Sequence, residues 1–372
     1  MPEEIVIVDA ARTPLSPADQ PSPLTSLSEI DLLNEIINGI TERSGIDQGC
    51  IDEIHTAGIR ADGYLESSRF WGFDILHSAG SSLGALFTAV NGVQADPRGV
   101  ALVAGVNHSR KRGNPQLVPA RNGSRIEDSR TNAELLVTLY GLTRTQIDNY
   151  ARQSIERAHE CARWGDYKRE IVPITSPHSL AYGGTMTTDI LCSVPRVTEI
   201  ELMKRSWGNE ELAIPENEPV VLGDYAHTAV GAGAALVTSL RRANELGLTP
   251  RARIRQFTEV YRRPRQKFCN LPSIVTRSLL SACGFPVTSM DHVEIPDTFA
   301  ASALAWQSEF AINPDLLNPR GGAIALGDLA HAAGLRSLAT MLGALEDTGG
   351  ISGLIIGSEA DDTCHGLLIE KY

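Results

Sequence analysis

Two stretches decide the fold: SSLGALFTAVNGVQADPRGVALVA (81–104) and AAGLRSLATMLGALEDTGGISGLII (332–356). In the first, Leu83, Leu86, Phe87 and Val90 recur at helical spacing. Asp96-Pro97-Arg98-Gly99 then makes a turn, and Val100-Ala101-Leu102-Val103-Ala104 reads as a strand. In the second, Leu335, Leu338, Met341 and Leu345 mark the helix, Thr348-Gly349-Gly350 turns, and Leu354-Ile355-Ile356 is the strand. Leu83 to Leu102 and Leu335 to Leu354 are both separations of 19 residues. The match predicts an internal repeat of one α/β unit, one copy in each half of the chain.

Outward from the repeat, IVIVDA (5–10) is a continuous β-branched run, the pattern of a strand buried on both faces. Ile30, Leu32, Leu33, Ile36, Ile37 and Ile40 predict a helix that breaks at Gly45. Thr143-Arg144-Thr145-Gln146 is a capping box opening a helix with Ile147, Tyr150, Ala151, Ile155 and Ala158 on one face. Residues 176–219, rich in Pro, Gly, Ser and Thr, read as a loop-dominated insertion between the halves.

At 372 residues the chain is long enough to bury a core without disulfides or metals. Its net charge of −12 argues against a general nucleic-acid binder. No apolar run is long enough for a membrane span, and the acidic start MPEEIVIVDA does not read as a signal peptide. The six cysteines (50, 161, 192, 269, 283, 364) include no CxxC pair, so neither a zinc site nor a disulfide framework is expected. The expected location is the cytoplasm. No Walker or dinucleotide fingerprint occurs, and no cofactor is expected.

Five collinear segments resemble the thiolase superfamily: IVIVDAARTP (5–14), AGSSLGAL (79–86), YGLTRTQIDNYARQSIERAHECARWGDYKREIVPI (140–174), EIPDTFAA (294–301) and GGAIALGDLAHAAG (321–334). The resemblance spans essentially the whole chain. It implies an α/β fold with a five-layered αβαβα core of two duplicated halves and an inserted loop domain. The corresponding divisions are 1–118, 119–245 and 246–372. It also implies a homodimer, or a heteromer with a thiolase-like or accessory subunit.

The resemblance places family chemistry on residues that cannot perform it in the usual way. Ala79 stands at the nucleophilic Cys position, Asp328 at the catalytic His, Pro296 at the Asn, and Ser358 near the second Cys. Alanine cannot be acylated, and Pro296 has neither a side-chain donor nor a backbone N–H. Two like charges ~4 Å apart cost about 4 kcal/mol at an effective dielectric of 20, so an ionised Asp328 would oppose an oxyanion. Asp328 would have to be protonated to help. A rival alignment uses Cys364 of Cys364-His365-Gly366 as the nucleophile; it is disfavoured because Cys364 lies well beyond the 354–356 strand.

The expected catalytic groups are therefore Asp328, His331 and Asp297. Asp328 and His331 are three residues apart, the spacing of a hydrogen-bonded dyad on a helix. The expected substrate-binding residues are His227, Ser81, Arg262 and Arg263, the arginines as partners for CoA phosphates. The bland readings are a helix cap for Asp328, a structural acid for Asp297, and a solvated face for the arginines. The expected function is carbon–carbon bond formation or cleavage on an acyl-CoA or related ketide, without a cysteine acyl-enzyme. The alternative is an inactive thiolase-fold subunit that completes a partner.

Overall fold

A computed structural model describes residues 3–58, 75–77, 80–108, 125–175, 185–190, 226–262, 270–359 and 363–372. Both copies of the repeat are present. In the first half, β1 (Ile5–Arg12), α1 (Glu29–Ser44), β2 (Glu53–Ala57), β3 (Ile75–His77), α2 (Ser82–Ala95) and β4 (Val100–Asn107) follow in order. Next come α3 (Arg125–Tyr140), α4 (Arg144–Trp164), β5 (Ala229–Ser239) and α5 (Leu240–Glu245). The second half runs β6 (Ala252–Tyr261), α6 (Leu271–Cys283), β7 (His292–Glu294), α7 (Ala300–Phe310), α8 (Ala323–Leu326), α9 (Ala333–Thr348), β8 (Ser352–Glu359) and β9 (Thr363–Lys371).

Strand order exposes the duplication. The path is β3-β2-β4-β5-β1-β6-β9-β8-β7. β2 and β4 are parallel and β4, β5 and β1 antiparallel; in the second half β7 and β8 are parallel and β8, β9 and β6 antiparallel. The stretch 119–245 contributes β5 to the first half's sheet. The halves meet where Val6 and Ile7 of β1 pair with Arg253 and Ala252 of β6.

The layers follow from alternation along the strands. Val6 and Val8 face α1, whose Leu32, Leu33, Ile36 and Ile40 fill the outer core of the first half. Ile5 and Ile7 face the other way, onto α2 and α9, which are sandwiched between the two halves of the sheet. Leu354, Ile356 and Leu368 pack outward against α6 and α7. That is the five-layered arrangement, and burying each such Leu, Ile or Val is worth about 1.5–3 kcal/mol.

Local signals set the helix ends. Ser28 and Asp31 form a capping box for α1, which stops at Gly45 with φ 71°. Thr143 and Gln146 do the same for α4, which stops at Gly165. Arg12, fully buried at the end of β1, donates to Glu170 Oε1 at 2.7 Å and to both Asp189 oxygens at 2.7 and 2.8 Å. This fixes the insertion against the first strand.

Candidate functional site

The C-terminal ends of β2 and β4, the start of α2 and the loop before α9 converge at one place. A crevice beyond the carboxyl ends of parallel strands is where open α/β sheets bind ligands. Gly58 follows β2 with φ +83°, and a side chain there would fall 2.9 Å from His331 Cβ. His331 Nδ1 lies 2.7 Å from the carbonyl of Gly80, just before α2. A carbonyl only accepts, so Nδ1 carries the proton and Nε2 holds the lone pair of a base.

Asp328 sits beside this histidine but is not hydrogen-bonded to it, contrary to the expected dyad. Its Oδ1 accepts the backbone N–H of Ala330 at 2.8 Å. The reason is local: Ala330 has φ 41°, a 3₁₀ turn covers Ala330–Ala332, and α9 starts only at Ala333. Helical i, i+3 spacing therefore does not apply. Burial pushes the Asp328 carboxyl above its ordinary range, against the Ala330 hydrogen bond and the charges of Arg336 and His331.

The segment carrying His227 is stitched to the same loop. Asp328 N donates to His227 O at 2.6 Å, Ala229 N to Asp328 O at 2.9 Å, and Ala226 N to Thr298 O at 2.8 Å. His227 is half-buried. Ser81 caps α2, accepting Gly84 N–H at 2.9 Å, and is 5% exposed. Thus Asp328, His331, His227 and Ser81 are brought together. Pro296, half-buried, lies just beyond β7. Ser358 pairs with Cys364 in β8 and β9, its side chain outside the described residues. Ala79, Arg263 and the 110–112 basic run also lie outside the described residues. Arg262 follows β6 directly, three residues beyond Glu259.

Asp297 belongs elsewhere. It is fully buried beneath the 321–323 turn, accepting Ala323 N–H at 2.5 Å and the Tyr150 hydroxyl at 3.3 Å. Burial raises its carboxyl to about 6, against the pull of Arg336 and its hydrogen bonds. It makes no hydrogen bond with Asp328 and braces the turn, so it does not join the other expected catalytic groups. Beside it, Arg336 donates to Glu294 Oε2 at 3.1 Å, and burial pushes the Glu294 carboxyl up to about 7.

Among the described residues no cysteine lies at the mouth of α2; Cys192 and Cys269 lie outside the described residues. No cysteine occurs between Cys50 and Cys161 in the sequence. Cys364, the rival nucleophile, is fully buried in the outer core with Val275 and Leu279. Burial pushes the Cys161 thiol up to about 12. Among the described residues no group of His, Cys, Asp and Glu is arranged to hold a metal ion.

Two residues escaped the sequence reading. His365 lies within 3.5 Å of Ser81 Oγ through Nδ1, and its Nε2 is 2.9 Å from Glu259 Oε1. His365 sits in the Cys364-His365-Gly366 motif, next to the rival nucleophile.

Residues 248–371 match the family model described as "Thiolase, C-terminal domain". The chain is 26% identical to a steroid 3-ketoacyl-CoA thiolase of Mycobacterium tuberculosis, over 99% of this chain and 94% of that protein. It is 28% identical to a 3-ketoacyl-CoA thiolase of Saccharophagus degradans, over 96% of each. The crystal structure of human mitochondrial 3-ketoacyl-CoA thiolase superposes with a TM-score of 0.84 at 21% identity, covering 99% of both chains. A Bacillus anthracis acetyl-CoA acetyltransferase gives 0.84 at 20%, covering 100% of this chain and 99% of that one. The solved structures establish the shared fold.

Proposed function

This chain belongs to the thiolase family, and we propose that it makes or breaks a carbon–carbon bond in an acyl-CoA without a cysteine acyl-enzyme. The observation that carries the reading is the Gly80–His331 hydrogen bond, which turns a basic Nε2 loose at the mouth of α2. The carbon next to a thioester carbonyl is the acidic position of such a substrate. His331 Nε2 takes that proton, or the hydroxyl proton of a 3-hydroxyacyl thioester undergoing retro-aldol cleavage. Asp328, whose carboxyl burial raises above its ordinary range, is the acid that returns a proton to the carbanion or its oxygen in this reading. The start of α2 presents the positive end of its dipole to the developing enolate. Arg262 and Arg263 follow β6 and serve the phosphates of CoA; His227 borders the acyl chain.

Deuterium exchange at the α-carbon of a CoA thioester panel in D2O tests the base directly. Wild type should exchange, and His331→Asn should slow exchange by about 100-fold. Exchange at the wild-type rate in His331→Asn removes this histidine from the mechanism. The effect of Asp328→Asn should be confined to the steps that deliver a proton.

A further inference from the structure

We propose that Ser81, His365 and Glu259 form a nucleophilic relay that accepts an acyl group on Ser81 Oγ. The proposal rests on the acyl-thioester reading above and adds a covalent route to it.

The three groups come from three places in the chain and meet through the sheet. β6 and β9 pair antiparallel with His365 directly opposite Glu259, so the two side chains share one face. That face looks onto the first turn of α2. The imidazole lies across the turn, with Cε1 and Nε2 each 3.3 Å from where a Cβ of Gly84 would be. Any larger residue at 84 would press on the ring. Phe257 stands edge-on to it at 6.2 Å between centroids.

The hydrogen-bond directions are set by chemistry. The carboxylate of Glu259 only accepts, so His365 Nε2 carries the proton at 2.9 Å. Nδ1 is then the lone-pair nitrogen, facing Ser81 Oγ at 3.5 Å. Ser81 Oγ already accepts Gly84 N–H at 2.9 Å, which leaves its own proton to donate. The second Glu259 oxygen takes the hydroxyl of Tyr261, holding the carboxylate in place. Burial keeps the His365 imidazole below its ordinary range, against the charge of Glu259, which favours the neutral ring with its Nδ1 lone pair available. Ser81 is 5% and His365 2% exposed, which keeps bulk water from competing for the pair. A nucleophile, a base within reach and an orienting acid are the parts that activate a hydroxyl, and their contacts are commonly loose before substrate binds.

The step balances as follows. The Ser81 proton moves to His365 Nδ1 while Oγ bonds to the acyl carbonyl carbon. The carbon–sulfur bond to CoA breaks, and the departing thiolate takes the proton from His365, leaving a seryl ester and free CoA. Water, deprotonated by the same nitrogen, then releases a carboxylic acid and restores Ser81. Glu259 touches no reacting atom and is a positioning residue. His331 faces Gly80 on the same turn and takes no part in this transfer.

Intact-mass analysis with peptide mapping decides the matter, using acetyl-CoA in one arm and p-nitrophenyl acetate in the other. Wild type should gain one acetyl group, located on Ser81. Ser81→Ala should gain none there, and Ser81→Cys, which keeps a nucleophile at the helix cap, should be acylated in its place. His365→Asn should slow acylation by about 100-fold. Glu259→Gln should shift the pH profile of acylation, which a merely structural role would leave alone. An unmodified wild type, or acetylation of another residue undiminished in Ser81→Ala, overturns the relay. Wild type that exchanges α-protons yet is never acylated overturns the relay and leaves the carbon–carbon reading standing. Acylation of Ser81 by p-nitrophenyl acetate without α-proton exchange on any CoA thioester supports the relay and overturns that reading.

Discussion

α2 and α9 are one element used twice, and the molecule treats the copies differently. α2 carries no charged residue; Ser81 caps it, and its first turn meets His331 on one side and His365 on the other. α9 has no side-chain cap and places Arg336, 4% exposed, in its first turn beside Glu294. The charge of Arg336 reaches Glu294, Asp297 and Asp328 alike. Duplication therefore supplied two scaffolds with separate duties. The first presents an uncharged, serine-capped helix start to His331 and His365. The second buries a cation that pairs with Glu294 and whose charge reaches Asp297 and Asp328.

Breaking the second copy should have the largest effect. Arg336→Met leaves Glu294 and Asp297 buried without their shared cation and should cost about 3–5 kcal/mol in chemical denaturation. An undiminished unfolding midpoint would mean the cation does not anchor this half.

The same copy should respond to pH. Folding raises the Glu294 carboxyl from 4.5 to about 7, so the native state binds more protons than the unfolded chain between those values. Its favourable contribution is complete below about pH 4.5 and is lost as pH climbs through 7. Wild type measured against Glu294→Gln, a difference in which the histidines cancel, should therefore decline with rising pH. The decline should be on the order of 3 kcal/mol. A flat difference would show that the carboxyl titrates normally.

The contact between copies is next. Gly334 of α9 admits Leu83 of α2, whose Cγ would lie 2.3 Å from an added Cβ. Gly334→Ala should cost about 2 kcal/mol by forcing the helices apart. Losing the cap of the first copy should matter least: Ser81→Ala should lower stability by about 1 kcal/mol. If its effect equals that of Arg336→Met, the two copies are not specialised as described.

The scaffold was legible because its signals are local and repeated. The 19-residue spacing corresponds to α2 with β4 and to α9 with β8. Gly45 and the Thr143 capping box marked helix ends that the structure keeps. The site was legible only where neighbours in sequence stayed neighbours in space. Asp328 and His331 share a loop, but the left-handed Ala330 between them breaks the helical spacing that a dyad required. Asp297 followed the family motif, yet the space left by Gly322 draws it under the turn. His365 and Glu259 are 106 residues apart and meet only through strand register, which no local pattern encodes.

The central proposal is that carbon chemistry beside the start of α2 runs on histidine and not on cysteine thiolate. The direct measurement is α-carbon deuterium exchange on a CoA thioester, before and after exhaustive alkylation of the native protein's accessible thiols. The account predicts the same exchange rate in both samples. Loss of exchange in step with modification of one cysteine would contradict it.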